Sequence, residues 1–445
     1  MIKLITVFTF IISINAYSQD LQWRLISTSP GESPGRIDDV FFINENTGWT
    51  FDLVGSFPNH QWKSFKTTDG GYTWVSTLVS STIGGFRSIG FADSLNGWIG
   101  TLSVGGTNIL KTTDGGQSWL PSLISNPQDS IGICGISVIN KDTVYATGRY
   151  YGPAHFYKTT DGGKNWQVTD LAKYGIHYLI DCHFFNADSG FITGGTGISA
   201  PNSKGMVLFT SNAGATWEVK KITNSTGTWG WKISFPTRET GYISLERSGA
   251  GARYFLKTTD GGESWQENTF SNTSISVQGI GFINENTGWI GGNFVGSSGN
   301  AGYETTDGGE TWIPMGYFKN INRVRIVNDT LAYASGDRIY KYTRDSTVII
   351  NLTSSEIPDK FTLYQNYPNP FNPSTKIAFE IPQENLVKLS VFNSLGQQVE
   401  VLVHSNVSAG KYEINFDASN ISAGIYFYKL EYEGNFRVRK MVIVK

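Results

Sequence analysis

Carboxylates recurring at a fixed spacing are the first chemical signal in this sequence. Asp69, Asp114, Asp161, Asp260 and Asp307, with Asn212 in the same series, each sit inside one nonapeptide pattern. The copies read KTTDGGYTW from Lys66, KTTDGGQSW from Lys111, KTTDGGKNW from Lys158, FTSNAGATW from Phe209, KTTDGGESW from Lys257 and ETTDGGETW from Glu304. Successive acidic positions are 45, 47, 51, 48 and 47 residues apart. A catalytic carboxylate pair must lie within about 5–10 Å, and carboxylates supplied one per repeat cannot meet that condition. They are expected instead to be structural. An Asp or Asn side chain bonds backbone N–H groups two residues on, Gly-Gly supplies positive φ, and the closing Trp buries a large apolar face. The fourth box, Asn212-Ala213-Gly214, is expected to form the same turn less stably.

The elements that hold these boxes form a second recurrence between them. DDVFFINENTGWTFD from Asp38, SIGFADSLNGWIGTL from Ser88 and QGIGFINENTGWIGGN from Gln278 are its clearest copies, and weaker ones begin at Gly135, Asp181, Lys232 and Val324. Each alternates apolar and polar residues, turns on Asn, Asp, Ser or Gly, and resumes with an aromatic, which is a β-hairpin pattern. A hairpin plus a box strand every 45 to 51 residues is the period of a four-stranded propeller blade. There are seven hairpins and six boxes. The segment Gln22–Thr28 resembles the strand that follows a box, so it is expected to supply the outermost strand of the seventh blade and close the ring.

Binding in such a ring falls where the inner strands line the channel. Aligning the hairpins on Phe42, Phe91, Val138, Phe184, Phe235, Phe282 and Ile326 places Asp38, Arg87, Cys134, Ile180, Trp231, Gln278 and Asn322 four residues earlier on the same strand face. This column varies in residue type, as a ligand-facing ring or a solvated channel would. The candidate binding residues are Arg36, Asp38, Arg87, Trp231, Gln278 and Asn322. Arg149, Tyr150, His155, His177, Tyr178, Trp229 and Arg323 lie near them in the sequence pattern. Aromatics with scattered polar groups suit a glycan or a peptide.

The nonapeptides resemble the Asp-box, or BNR, repeat of sialidases. Together with the Phe-x5-Gly-Trp hairpins, the pattern looks most like propellers of the photosystem II stability/assembly factor type. The resemblance implies architecture, not a photosynthetic role. A sialidase would need three arginines converging on the substrate carboxylate, and Arg36, Arg87 and Arg323 are the best available set. The Arg-Ile-Pro signature is absent, because Arg36-Ile37 is followed by Asp38, and no Tyr-Glu nucleophile pair stands out. No catalytic residue is therefore assigned. The five histidines, His60, His155, His177, His183 and His404, lack metal-ligand spacing, and neither GxSxG nor a P-loop occurs, so no metal and no cofactor are expected.

After Thr343 the composition shifts. A polar linker is expected over 344–358, and short alternating strands from Asp359 onward read as a small antiparallel β-sandwich. LYQNYPNPFNPSTKI, Val391-Phe392-Asn393-Ser394-Leu395-Gly396, Ala423-Gly424-Ile425-Tyr426 and a terminal Lys look like the type A C-terminal sorting domain of type IX secretion substrates. That resemblance implies passage across the outer membrane and removal of residues 359–445. Pro368, Pro370 and Pro373 would fix an extended segment, and the resemblance implies a role for it in recognition.

At the other end, Lys3, the apolar run Leu4–Ile14 and Ala16-Tyr17-Ser18 form a secretory signal peptide over 1–18. No later stretch is apolar enough to span a bilayer, so the mature chain is expected to lack a transmembrane segment. Charged residues make up 16% and aromatics 14%, with 51 glycines, which favours an all-β chain. The formal charge of −2 offers no basic surface for nucleic acid. Cys134 and Cys182 lie in inner strands of adjacent blades on the same side of each, so a disulfide between them is disfavoured. The expected organisation is an all-β chain: signal peptide 1–18, seven-bladed β-propeller 19–343, linker 344–358 and sorting domain 359–445. Its expected role is binding of an extracellular glycan or protein partner. The alternatives are a sialidase-like glycoside hydrolase and a scaffold or assembly factor for other exported proteins.

Overall fold

Each repeat folds into a twisted antiparallel sheet because its alternating strands bury one set of side chains on either face. The computed structural model describes residues 21–444 apart from 27–28, 31–35, 56–60, 81–83, 103–107, 126–131, 149–151, 198–199, 274, 295–300, 317, 344–350, 355 and 419–420. The signal-peptide expectation lies outside the described residues, as do Arg149 and Tyr150.

Among the described residues, seven four-stranded sheets occupy the stretch Trp23–Thr343, which is one compact unit. Six sheets each use four consecutive strands. Their inner strands are Val40–Phe42, Phe86–Phe91, Gly135–Val138, Tyr178–Phe184, Thr228–Ser234 and Ile275–Phe282, defining blades one to six. Blade seven takes Ile321–Asn328, Leu331–Gly336 and Ile339–Thr343, and its outermost strand is the N-terminal Gln22–Leu25. Each inner strand lies against the next, and the last against the first. Trp23 locks the closure: it is buried against Trp289, Phe318 and Tyr342, with ring centroids 5.0, 5.6 and 5.4 Å away.

A repeated aromatic joint holds neighbouring blades together. The hairpin Phe of one blade lies on the aromatic that opens the second strand of the preceding blade: Phe42 on Tyr333 at 3.5 Å, Phe91 on Trp49 at 3.7 Å, Phe184 on Tyr145 at 3.8 Å and Phe282 on Tyr242 at 3.5 Å. The Gly that opens the second strand of the Phe's own blade makes room for its ring. A Cβ on Gly97 would stand 2.4 Å from Phe91, and one on Gly288 2.4 Å from Phe282.

The boxes form one hydrogen-bonded turn, with a corrected register. In the first, Thr67 Oγ1 donates to Asp69 Oδ1 (2.8 Å) and accepts from the Gly71 N–H (2.9 Å), while the Thr73 N–H and hydroxyl donate to the two Asp69 oxygens (2.8 and 2.6 Å). The acidic side chain therefore caps a backbone N–H four residues on, not two, because the double glycine turn carries the chain past it before curling back. The Thr two residues earlier, which sequence reasoning passed over, supplies the second anchor. Asn212 keeps the arrangement, accepting from Thr210 Oγ1 (3.0 Å) and the Thr216 N–H (2.9 Å) and donating to Thr216 Oγ1 (2.8 Å). Its departure is Ala213, at φ 58° where the other boxes have Gly.

The chain beyond Arg344 belongs to a second compact unit. One sheet is ordered Asn351–Ser354, Gly410–Asp417, Ser374–Ile381, Thr362–Leu363, and the other Gln398–Val407, Asn385–Asn393, Gly424–Tyr432, Asn435–Ile443. The linker expectation over 344–358 is corrected at Asn351–Ser354, which pairs with the strand Gly410–Asp417. That stretch is polar in composition, but an edge strand needs only one buried face. The proline motif is built into this fold. Asn366 is buried, its N–H donating to the Tyr428 hydroxyl (2.7 Å) and its amide to Thr375 Oγ1 (3.0 Å). Asn369 Oδ1 accepts from the Val442 N–H (2.8 Å), and the Phe371 N–H donates to the Val442 carbonyl (3.1 Å). The segment thus covers the C-terminal half of the edge strand Asn435–Ile443 and blunts an otherwise exposed edge.

Candidate functional site

The inner strands are not regular. Their pairing with the second strand skips at Arg87, Ile180, the Trp231–Lys232 pair, Gln278 and Asn322, where β-bulges leave residues out of the ladder. All but Lys232 are members of the column aligned from the sequence. A bulge re-aims the side chain it carries, and here the re-aimed side chains converge on the channel.

At the mouth, Asp38 Oδ1 accepts from Arg36 Nε and from Arg87 Nη1, both at 2.8 Å. Arg36 Nη2 also donates to Gln278 Oε1 (3.0 Å), tying blade one to blade six. Asn322 donates its amide to the Ile37 carbonyl (3.1 Å), while its Oδ1 is buried with no hydrogen-bond partner. Asp38, Arg87, Trp231 and Asn322 line one small cavity together with Cys134, Ile180 and Lys232. Its free space is small, about 30 Å³, against the roughly 10–15 Å³ that one water needs on the same measure. Four of the six expected binding residues therefore share a wall, and Arg36 and Gln278 join them through hydrogen bonds. The Arg36 and Arg87 side chains remain 38% and 30% exposed, so they can reach a partner above the cavity.

Beneath the mouth the channel is plugged by buried charge. Arg323 of blade seven clasps Asp181 of blade four through Nη1–Oδ2 (2.7 Å) and Nη2–Oδ1 (3.0 Å). Arg323 Nε lies 3.4 Å from Asp39 Oδ1, and Arg325 Nη2 2.7 Å from Asp39 Oδ2. Asp181 also accepts the Ile233 N–H (3.0 Å), and Lys232 Nζ stands 3.9 Å from Asp181 Oδ1. Burial works against the Asp181 charge, but Arg323 and Lys232 hold its carboxyl down at about 2. Burial, with Arg323 beside it, pulls the Lys232 ammonium below its ordinary value. Glu246, whose Oε1 accepts from the Ser276 hydroxyl, is pushed up by burial toward its neutral form. His183 keeps part of its edge in solvent, yet desolvation under Phe235 drives its imidazole down to about 4.

This arrangement separates the three arginines of the hydrolase expectation. Arg36 and Arg87 meet on Asp38, whereas Arg323 is sealed in the plug and committed to Asp181 and Asp39. Of the neighbouring candidates, Trp229, Tyr178 and His155 are buried, Tyr178 bonding Ser203, and His177 is half-buried. The six box residues sit one per blade, each bonded within its own turn. Cys134 lines the cavity, while Cys182 packs in the blade-four core with its Sγ toward the Tyr145 carbonyl; no disulfide joins them. Sequence reasoning missed Asp39, Asp181, Lys232 and Arg325. For Asp39, Asp181 and Lys232 the available signal was a charge one residue after the column; Arg325 lies three residues after it and carried no such mark. Among the described residues, no group of three or more His, Cys, Asp or Glu is placed to hold a metal, and no helix is long and apolar enough to cross a membrane.

Comparison with known proteins places these findings. Residues 365–445 match the family model of the secretion system C-terminal sorting domain, which implies type IX export to the cell surface or secretion. No curated protein matches the chain. A solved structure of YCF48 bound to D1 peptide is similar at 21% identity and a TM-score of 0.52, covering 73% of this chain and 94% of that one. The Niastella koreensis GH74 enzyme is similar at 14% identity and a TM-score of 0.45, over 90% of this chain and 65% of its own. A PL25 ulvan lyase is similar at 9% identity and a TM-score of 0.44, over 72% and 93%. The chain is all-β, a propeller followed by a sorting domain.

Proposed function

We propose that this exported propeller is a binding protein that engages an extracellular glycan or protein partner at its channel mouth. In this layout residues 19–343 carry the propeller after removal of 1–18, and 359–445 engage the type IX secretion machinery. The observation that carries the reading is the cluster of Arg36, Asp38 and Arg87, its two guanidinium groups partly open to solvent, tied to Gln278 and beside the partly exposed Trp231. Arginine and tryptophan are the side chains that dominate recognition energetics when a partner covers them. YCF48, a propeller of related shape, is seen with a bound peptide, which supports a protein partner as one class.

Hydrolysis is disfavoured on the same geometry. A carboxylate-clamping arginine triad would need Arg323, whose three nitrogens are all within 3.4 Å of buried carboxylates. Asp38, the carboxylate at the mouth, is bridged by two guanidinium groups at 2.8 Å, and among the described residues no second carboxylate lines the cavity beside it to make up a catalytic pair.

The test is a glycan array with a chromogenic-glycoside screen on the purified exported protein, followed by pull-down from outer-membrane extracts. Binding without turnover, weakened by changing Arg87 or Trp231, is the expected result. Turnover abolished by changing Arg36 or Arg87 would make the protein an enzyme and overturn the reading.

A further inference from the structure

The throat of the channel holds a lysine with no adequate counter-ion. Lys232 is 5% exposed and lines the small cavity below the mouth. The carboxylate nearest to it, Asp181, is 3.9 Å away and already accepts two Arg323 N–H groups and the Ile233 N–H. Among the described residues of mouth and plug, Arg36, Arg87, Lys232, Arg323 and Arg325 form their ion pairs with three carboxylates, Asp38, Asp39 and Asp181. Glu246, driven toward neutrality by burial, does not restore the balance. A buried ammonium without a close partner is costly, and a small anion in the cavity would relieve it.

We propose that this throat is a monovalent-anion site, centred on Lys232 and Arg87, that takes the carboxylate of a uronic acid residue in an acidic glycan. This rests on the reading of the mouth as a binding surface and names its ligand class. The size of the cavity decides what enters: about 30 Å³ admits one small group and excludes a sugar ring. The ring must stay at the mouth, beside the partly exposed Trp231 and the donors of Arg36 and Arg87. An acidic peptide side chain could place the same carboxylate, but it has no ring to lay on Trp231.

The experiment follows thermal stability and tryptophan fluorescence of the full exported protein titrated with sodium acetate, sodium glucuronate, glucose and a glutamate-containing peptide at constant ionic strength. Acetate and glucuronate are expected to raise the Tm saturably, glucuronate at least tenfold more tightly, with glucose silent. Lys232→Met should weaken both responses at least tenfold. Because that variant could fail to fold, Asn322→Asp is the companion: it places a carboxylate on the wall of the same cavity and should abolish the acetate response while the protein stays folded. An unchanged acetate response in both variants overturns the site. A peptide preferred over glucuronate overturns the glycan class. These outcomes differ from failure of the mouth-binding reading, which would appear as silence on arrays and in pull-downs despite an intact acetate response.

Discussion

Arg323 and Asp181, 142 residues apart in sequence, meet across the channel through two bonds of 2.7 and 3.0 Å. Blades seven and four stand on opposite sides of the ring, so this contact ties together elements that share no sheet. The first prediction concerns that clasp. Arg323→Leu or Asp181→Asn removes the closest partner of a buried charge and should destabilise the propeller by about 3–5 kcal/mol. Replacing both by apolar residues should cost clearly less than the two single changes together. Equilibrium denaturation of the four proteins in a double-mutant cycle checks this, and additive losses would refute the coupling.

The boxes make a second prediction. Thr112→Val removes both the bond to Asp114 Oδ1 (2.7 Å) and the acceptor for the Gly116 N–H (2.8 Å). The expected loss is about 1–2 kcal/mol. Ala213→Gly should act in the opposite direction. Ala213 holds φ 58° in the left-handed region, a cost of about 1 kcal/mol that glycine avoids. Thermal melts of the two variants, moving in opposite directions from the parent, are the readout.

Acid stability follows from the titrating groups. Asp161, Asp260 and Asp307 are held at about 2 by hydrogen bonds from the residue four positions on, and Asp114 likewise against a burial effect that opposes it. Their folded values lie below the ordinary 3.8, so the unfolded chain takes up protons first as pH falls. The stability they supply is present above pH 4 and lost on descent toward pH 2. His183 acts in a higher window: its folded value of about 4 lies below the ordinary 6.5, so stability declines as pH falls from 6.5 to 4. Melting temperature against pH should therefore fall in two stages. His183→Phe should flatten the first, and Asp161→Asn, which copies the natural Asn212 turn, should soften the second.

At the mouth, Arg87→Ala and Trp231→Ala should each weaken partner binding at least tenfold. The Arg87–Asp38 pair is part-exposed, and such pairs contribute no more than about 1 kcal/mol to folding. Binding and melting measured on the same samples separate the two effects. A large loss of stability with no selective loss of binding would assign Arg87 to the scaffold instead.

The thiols offer a simple check of the two blades that carry them. Cys134 and Cys182 are buried and not joined to each other, and burial pushes the Cys182 thiol well above its ordinary value. A thiol reagent should count two groups in the denatured, unreduced protein and react slowly with Cys182 in the folded one.

Much of this molecule was legible along the chain. A blade is a local object, so its turn chemistry, its strand alternation and the glycine that admits Phe91 or Phe282 recur in register and can be counted. Gln22–Leu25 could be matched to blade seven because only that blade lacked a box strand of its own. The column Asp38, Arg87, Trp231, Asn322 was also accessible, since hairpin alignment preserves position within a blade. The bulges were not visible, because an extra residue in one strand of a pair leaves no mark on the strand's own alternation.

The sequence by itself determined the period, the turns and the sorting domain, because each depends on residues within one repeat or one short motif. Only the tertiary structure decided what the channel contains. Asp39, Asp181, Lys232, Arg323 and Arg325 read as scattered charges in separate strands, and nothing local says which will meet. Closing seven blades into a ring brings their inner strands to one axis, where low solvent access forces charges to pair. That pairing takes Arg323 out of any arginine triad and leaves Lys232 facing an open cavity without a close counter-ion.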